Sequence, residues 1–297
     1  MVRPAAFGFN AETAGSNAFQ NRPGAAPAEV LAAARAEFDG FVAALRGRDI
    51  EVVVVEDTPA PLKPDALFPN NWVSFHEDGG VVLYPMAASN RRLERRAEAL
   101  ETLGRSFALG ATWDLSPHEA KGEFLEGTGS MVLDHVHRRA YACLSPRTHE
   151  GLFKAWCARR GYEPAAFAAA DARGQAVYHT NVLMSVGDGF AVACLDAVGD
   201  AAERRRLEVV LRDGLQLVAI GLEQMARFCG NVLEVESRSG TPHLVLSQTA
   251  FDAFTPAQRK TLSGYAELLP VSIPTIESVG GGSARCMLAE VFSPRRA

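Results

Sequence analysis

The sequence predicts an α/β fold, a five-bladed propeller of ββαβ units with pseudo-fivefold symmetry. Three observations predict it: a hairpin pattern that recurs five times, a nearly constant interval between copies, and helical patterns within those intervals. The copies are "NNWVSFHEDGGVVLYP" from Asn70, "EGTGSMVLDHVHRRAYACLS" from Glu126, "HTNVLMSVGDGFAVACLD" from His179, "GNVLEVESRSGTPHLVLS" from Gly230 and "GSARCMLAEVFSP" from Gly282. Their starts lie about 50 to 58 residues apart, a repeat period.

Taken in order, an N-terminal helix is expected from Pro27 to Leu45, followed by the apolar stretch "DIEVVVVED". Each of the first four copies opens on small or polar residues. It then alternates through a short strand, turns at a Gly-, Asp-, His- or Ser-rich tip and returns as a β-rich strand. Helical patterns follow at Asn90 to Leu103, Ser145 to Arg159, Ala201 to Leu211 and Thr255 to Leu268. A further apolar stretch precedes the next copy, clear in "GLQLVAIG" and weaker in "FALGATW" and "EPAAFAAAD". The fifth copy stops at the C-terminus. A unit of this size cannot bury its own apolar face, so five copies close most naturally into a ring with helices outside and hairpin strands inside. The competing architecture is an open α/β sheet with coincidental hairpins. No linker composition interrupts the 297 residues, and one domain is expected over 1–297.

Composition narrows the function classes. The chain is 47% hydrophobic and 22% charged, with a net charge of −5. It carries no Lys/Arg cluster interleaved with aromatics, so neither nucleic acid nor an anionic membrane is the expected partner. A small molecule is. The N-terminal sequence lacks the basic and apolar regions of a secretory signal, and no stretch reaches the roughly 18 apolar residues of a membrane span; a cytoplasmic protein is expected. Five scattered cysteines without C-x-x-C spacing suggest neither a disulfide framework nor a zinc site.

Ring closure would bring the heads of the repeats together and with them three chemically useful side chains. Cys286 follows the glycine run in "SVGGGSAR", which favours exposure to a pocket. As a thiolate it is a nucleophile. His179 is the candidate acid and base, and Glu126 would orient the imidazole or hold a substrate N–H. The structural readings are a packed cysteine, a half-buried histidine bonded to backbone, and a glutamate at a strand mouth. Asp65, Asn70 and Asn71 lie in "PDALFPNNW", where Pro64 and Pro69 restrict the backbone and present the polar groups rigidly; a hydrogen-bonded turn is the alternative. Arg91, Arg92 and Arg147 fall at helix heads, a poor place for cations beside the helix dipole. A ligand carboxylate would explain them, as would solvent exposure. His135 and His137 in "DHVH" lack a third ligand, so no metal is expected. "FGFNAETAGSNAFQ" is either a segment that closes over a substrate or a packed terminal loop.

At "PDALFPNNWVSFH", "FLEGTGSMVLD", "HTNVLMS" and "GGGSARCMLAE" the chain resembles the pentein, or guanidine-modifying, superfamily of arginine deiminases, amidinotransferases and dimethylargininases, nearest to the citrulline-utilisation hydrolases. The resemblance implies a five-bladed β/α propeller, attack by Cys286 on a guanidino or ureido carbon, His179 as acid and base, and Glu126 as the carboxylate of an E-G-G-D-like motif. It implies an amino-acid substrate, with Arg147 and Arg91 on its α-carboxylate and Asp65 on its α-amino group. No metal or organic cofactor is implied. The departures are Asn70 and Asn71 where dimethylargininases carry acids, Asn181 where deiminases read H-x-D, and Gly129 where the motif's aspartate would stand. A buried guanidinium needs carboxylates, whereas an amide both accepts from and donates to a neutral ureido group. The amides therefore point to citrulline, hydrolysed to ornithine, ammonia and carbon dioxide. Hydrolysis or amidino transfer from an arginine derivative is the alternative, and a non-catalytic binding protein on the same scaffold is a third.

Overall fold

The computed structural model describes residues 1–296. Four three-stranded sheets repeat one plan. In each, two antiparallel strands form the hairpin, and a third runs parallel to the second after a connecting segment that includes helix. The first sheet comprises Val73–Phe75, Val81–Leu83 and Thr112–Asp114; the second, Val132–Asp134, Arg139–Leu144 and Glu163–Ala168. The third comprises Met184–Gly187, Phe190–Ala193 and Gln216–Ala219; the fourth, Leu233–Glu236, Pro242–Ser247 and Glu267–Val271. A fifth, two-stranded sheet pairs Val2–Arg3 with Val55–Glu56 in parallel.

The five sheets remain separate, without a hydrogen-bonded ladder joining them into one barrel. The fifth copy of the pattern, for which the sequence carries no full hairpin, differs from the other four. It makes a 3-10 turn at Ala284–Met287 and runs on to a single parallel bridge between Val291 and Phe75. The repeat heads nevertheless meet in sequence order: the turn at Gly127–Ser130 touches both Pro69–Asn71 and Thr180–Leu183, strand Leu233–Glu236 lies against Met184–Gly187, and Ala284–Met287 touches both Pro242–Ser247 and Pro69–Asn71.

Local chemistry accounts for the helices. Pro27–Arg46 starts with proline at its first position and buries Val30, Ala34, Phe38, Phe41, Val42 and Leu45, one stripe at helical spacing, against the fourth sheet. His149 caps Glu150–Arg160, and Gly161, at φ +71°, ends it in the left-handed region. Asp200 caps Ala201–Arg212, and Thr255 with Gln258 forms a capping box on Pro256–Leu262. Three expected helices are shorter than their patterns, the one expected from Ser145 beginning only at Glu150. Residues 89–94 form a 3-10 segment before helix Ala97–Gly104, because Arg91 turns inward to an ion pair. The pattern from Thr255 to Leu268 breaks at Ser263, beyond which Glu267–Val271 is the parallel strand of its sheet. No helix among the described residues is long and apolar enough to cross a membrane.

Candidate active site

Four of the five repeat heads are single tight turns rather than starts of straight strands, and each turn sets where its polar side chains point. Glu126 precedes Gly127–Ser130 and His179 precedes Thr180–Leu183; both residues are almost wholly buried. Glu126 Oε2 lies 2.8 Å from His179 Nε2 and Glu126 Oε1 accepts from the Ala87 N–H at 3.0 Å. Burial works to raise the Glu126 pKa. Arg147 at 3.6 Å, the His179 contact and Arg91 at 4.0 Å outweigh it and hold the carboxyl below its ordinary range. Burial lowers the His179 pKa to about 4, stronger than the upward pull of Glu126 and reinforced by the two arginines. At neutral pH the imidazole is therefore uncharged. With the carboxylate as acceptor, its proton sits on Nε2 and leaves Nδ1 free.

Gly129 explains its own departure from the motif. A Cβ at this position would lie 2.4 Å from Asn71 Nδ2 and 2.8 Å from His179 Nδ1, so no side chain fits between them. Gly127, at φ +47°, brings its backbone so close to the Asn70 carbonyl that a Cβ would stand 2.2 Å from that oxygen.

Cys286 lies in the Ala284–Met287 turn and is 3% exposed, where the sequence suggested exposure. The glycine run before it is not loose. The buried Glu277 accepts from Ser283 and Thr249 hydroxyls at 2.6 Å each, Tyr178 OH donates to the Gly281 carbonyl at 2.7 Å, and Gly280 and Gly282 pack on Phe68. Asn181 Nδ2 approaches the Cys286 sulfur at 3.5 Å and Asn231 Nδ2 at 3.2 Å. Asn231 was not anticipated, although "NVL" occurs in both the third and fourth repeats and aligns it with Asn181. The other four cysteines are buried, and burial pushes their thiols up to about 11 for Cys194 and about 12 for Cys143, Cys157 and Cys229.

Of the remaining expected residues, Arg91, Asp65, Asn71 and Arg147 join the Glu126–His179 cluster. Arg91 is buried, not exposed at a helix head. Its guanidinium forks onto Glu94 with two contacts of 2.9 Å, donates to Asn71 Oδ1 at 2.8 Å and lies 3.8 Å from Asp65. Arg92 instead faces Glu119 and the Met86 carbonyl, away from this network. Asp65 accepts from Asn10 at 2.7 Å, and Arg147 donates to Ser16 Oγ and the Thr13 carbonyl. Residues 10–21 thus lie packed over the site, tied also to the Ser278, Gly280 and Gly281 carbonyls. A cavity of about 300 Å³ opens onto Arg147 between Glu12, Ser16 and residues 87–89. A larger cavity, about 1270 Å³, is lined by hairpin residues and contains none of the nine expected site residues.

Five buried polar atoms of the cluster have no partner: Asp65 Oδ1, both amide atoms of Asn70, Asn71 Nδ2 and Asn181 Oδ1. Such orphans cost free energy unless something bonds them, and donors and acceptors are both among them. Histidines 135 and 137 bond Tyr162 and Asp134 respectively; no group of three or more His, Cys, Asp or Glu able to hold a metal occurs among the described residues.

A family model described as N,N dimethylarginine dimethylhydrolase, eukaryotic, matches residues 3–293. A search of the curated proteins finds no match. Among solved structures, the N-terminal domain of ArgZ, an arginine dihydrolase of the ornithine-ammonia cycle in cyanobacteria, superposes with a TM-score of 0.76 at 15% identity. The alignment covers 99% of this chain and 97% of that one. Unliganded AgrE gives 0.74 at 20% identity, over 100% of this chain and 39% of its own. A dimethylarginine dimethylaminohydrolase carrying an S-methyl-L-thiocitrulline adduct gives 0.63 at 14%, over 99% and 97%. At these identities the likeness is one of fold.

Proposed function

The chain belongs to the N,N dimethylarginine dimethylhydrolase family, and from that premise we propose that it hydrolyses a C–N bond at the guanidino carbon of arginine or an arginine derivative. The fold in this reading is a five-bladed propeller in one domain, its fifth unit divided between the N-terminal helix with its short sheet and the C-terminal turn that carries Cys286. The observation that carries the reading is the buried Glu126–His179 pair braced by Arg147 and Arg91, with the Cys286 thiol approached by Asn181, two residues along the chain from His179.

His179, neutral and with Nδ1 free, takes the Cys286 proton, and the thiolate attacks the guanidino carbon. The protonated imidazole, held by Glu126, gives that proton to the departing amine as the C–N bond breaks, leaving a thiouronium on sulfur. Water, deprotonated by His179, then adds to the same carbon and expels the thiolate, giving a ureido amino acid. Arg147 serves the substrate carboxylate, while Asp65 serves its amino group; Arg91, tied to Glu94, fixes Asn71.

A second reading, citrulline as the substrate, is favoured by the orphaned atoms, four of which belong to amides. A neutral ureido group can satisfy donors and acceptors together, whereas a guanidinium only donates. Attack on its carbon expels ornithine and leaves a carbamoyl thioester; water releases carbamic acid, which falls apart to ammonia and carbon dioxide. Steady-state assays with arginine, N-methylated arginines and citrulline decide between the two. Turnover of a guanidino compound with a kcat/KM above that for citrulline supports the first reading, and the reverse order the second. Absence of turnover on all of them, with Cys286 unmodified in mass spectra, removes both.

A further inference from the structure

We infer that Asn231 is a catalytic residue, a fixed amide donor that stabilises the Cys286 thiolate formed when the thiol gives up its proton, with Asn181 as a weaker second donor. The inference rests on Cys286 being the nucleophile of the reaction proposed above.

The orientation of the Asn231 amide is over-determined. Its Oδ1 accepts from the Arg285 backbone N–H at 3.1 Å and its Nδ2 donates to the Asn181 carbonyl at 2.9 Å. Reversing the amide would set two donors against each other at Arg285 and two acceptors at Asn181. The NH₂ must therefore face the sulfur, which it reaches at 3.2 Å. In the thiol form the same amide offers an acceptor, since Sγ lies 3.6 Å from Oδ1, but the donating contact is the shorter one. Asn231 is fully buried, so no water competes for this donor. Among the described residues no ion pair or hydrogen bond brings a cation to the sulfur. The polar contacts made by its side chain are to these two amides. A donor that bonds an anion more strongly than a neutral atom stabilises the charged form.

Asn181 changes role on this account. Its Nδ2 is directed at the thiol at 3.5 Å, while its orphaned Oδ1 remains to face a ligand.

The test follows the pH dependence of Cys286 alkylation by iodoacetamide, read peptide by peptide by mass spectrometry, in the full-length protein and in Asn231→Ala, Asn231→Asp and Asn181→Ala. Asn231→Asp keeps an acceptor for the Arg285 N–H and loses the donor to sulfur. We expect alkylation at pH 7 to slow about tenfold in both Asn231 variants and less in Asn181→Ala, with rates converging on wild type once the pH is high enough to ionise Cys286 in every variant. Folding is checked by thermal unfolding, and Asn231→Asp decides should Asn231→Ala fail to fold. An unchanged midpoint in a folded Asn231 variant overturns the inference, as does a fall at all pH values without a shift, the mark of a merely structural residue. Alkylation needs no substrate, so failure of the proposed reaction shows separately, as absent turnover in the wild-type protein.

Discussion

At the scale of single residues, the sharpest consequence concerns His179. Its pKa of about 4 lies below the ordinary 6.5, so the imidazole stays neutral through mildly acidic pH. The acid limb of kcat/KM is expected near pH 4, not 6.5; a midpoint above 6 in a pH–rate profile would show that burial does not dominate. The same shift bears on stability. Between pH 6.5 and 4 the unfolded chain binds a proton at this histidine that the folded chain refuses, so stability falls as pH drops through that window and levels off below it. Replacing Glu126 with Gln removes the negative charge that stabilises a protonated His179, and kcat should drop by roughly 10² or more while the fold persists. At the amides, Asn70→Asp or Asn71→Asp should move kcat/KM toward guanidino and away from ureido substrates by roughly tenfold, since charged hydrogen bonds exceed neutral ones by about 1–2 kcal/mol. Equal effects on both substrate types would detach these positions from recognition of the reacting group.

At the scale of elements, neighbouring heads are stitched by a recurring contact from a side chain of one head to a backbone carbonyl of the preceding one. Thr128 donates to Asn70, Thr180 to Ser130 and Asn231 to Asn181. Thr180 also accepts from the Cys143 N–H, so Thr180→Val orphans two backbone groups and should cost about 2–3 kcal/mol in denaturant unfolding. Gly127→Ala should be worse, because it adds both a disfavoured φ and a collision with Asn70; a loss of about 3 kcal/mol or more is expected in the same measurement. Much of this level was legible. Alternation and turn residues located the four hairpins, and helical apolar patterns located the helices. The head turns were not legible, because one turn of three or four residues carries no periodicity, and neither was the strand Glu267–Val271, whose "ELLPV" continues a helical apolar spacing.

At the scale of the whole molecule, the period of the repeats revealed which distant residues share a site. His179, Glu126, Asp65, Asn71, Arg91 and Arg147 are linked in one buried cluster, with Asn70 against Gly127, while Cys286 contacts Asn181 and Asn231 in a second. Glu94, Asn10 and Ser16 escaped notice because they serve other side chains of the site through contacts that only the folded chain creates. The C-terminal segment belongs to this scale too. Val291 bridges Phe75, and Ala108 and Ser293 bond across to Pro294 and His76. Truncation after Leu288 should lower the melting temperature and, through the Ala284–Met287 turn, reduce turnover in proportion; unaltered melting would mean that this tail closes nothing.

Arg285 and Cys286 are successive residues of one turn, yet the first borders the 1270 Å³ cavity while the second reaches the amide-lined cluster on the far side. That turn is a partition one residue thick. Arg285 is braced there against the Leu288 carbonyl and Glu290, so whatever loosens that brace, from a solute to a change of ionic strength, pulls directly on the peptide unit that aims the sulfur.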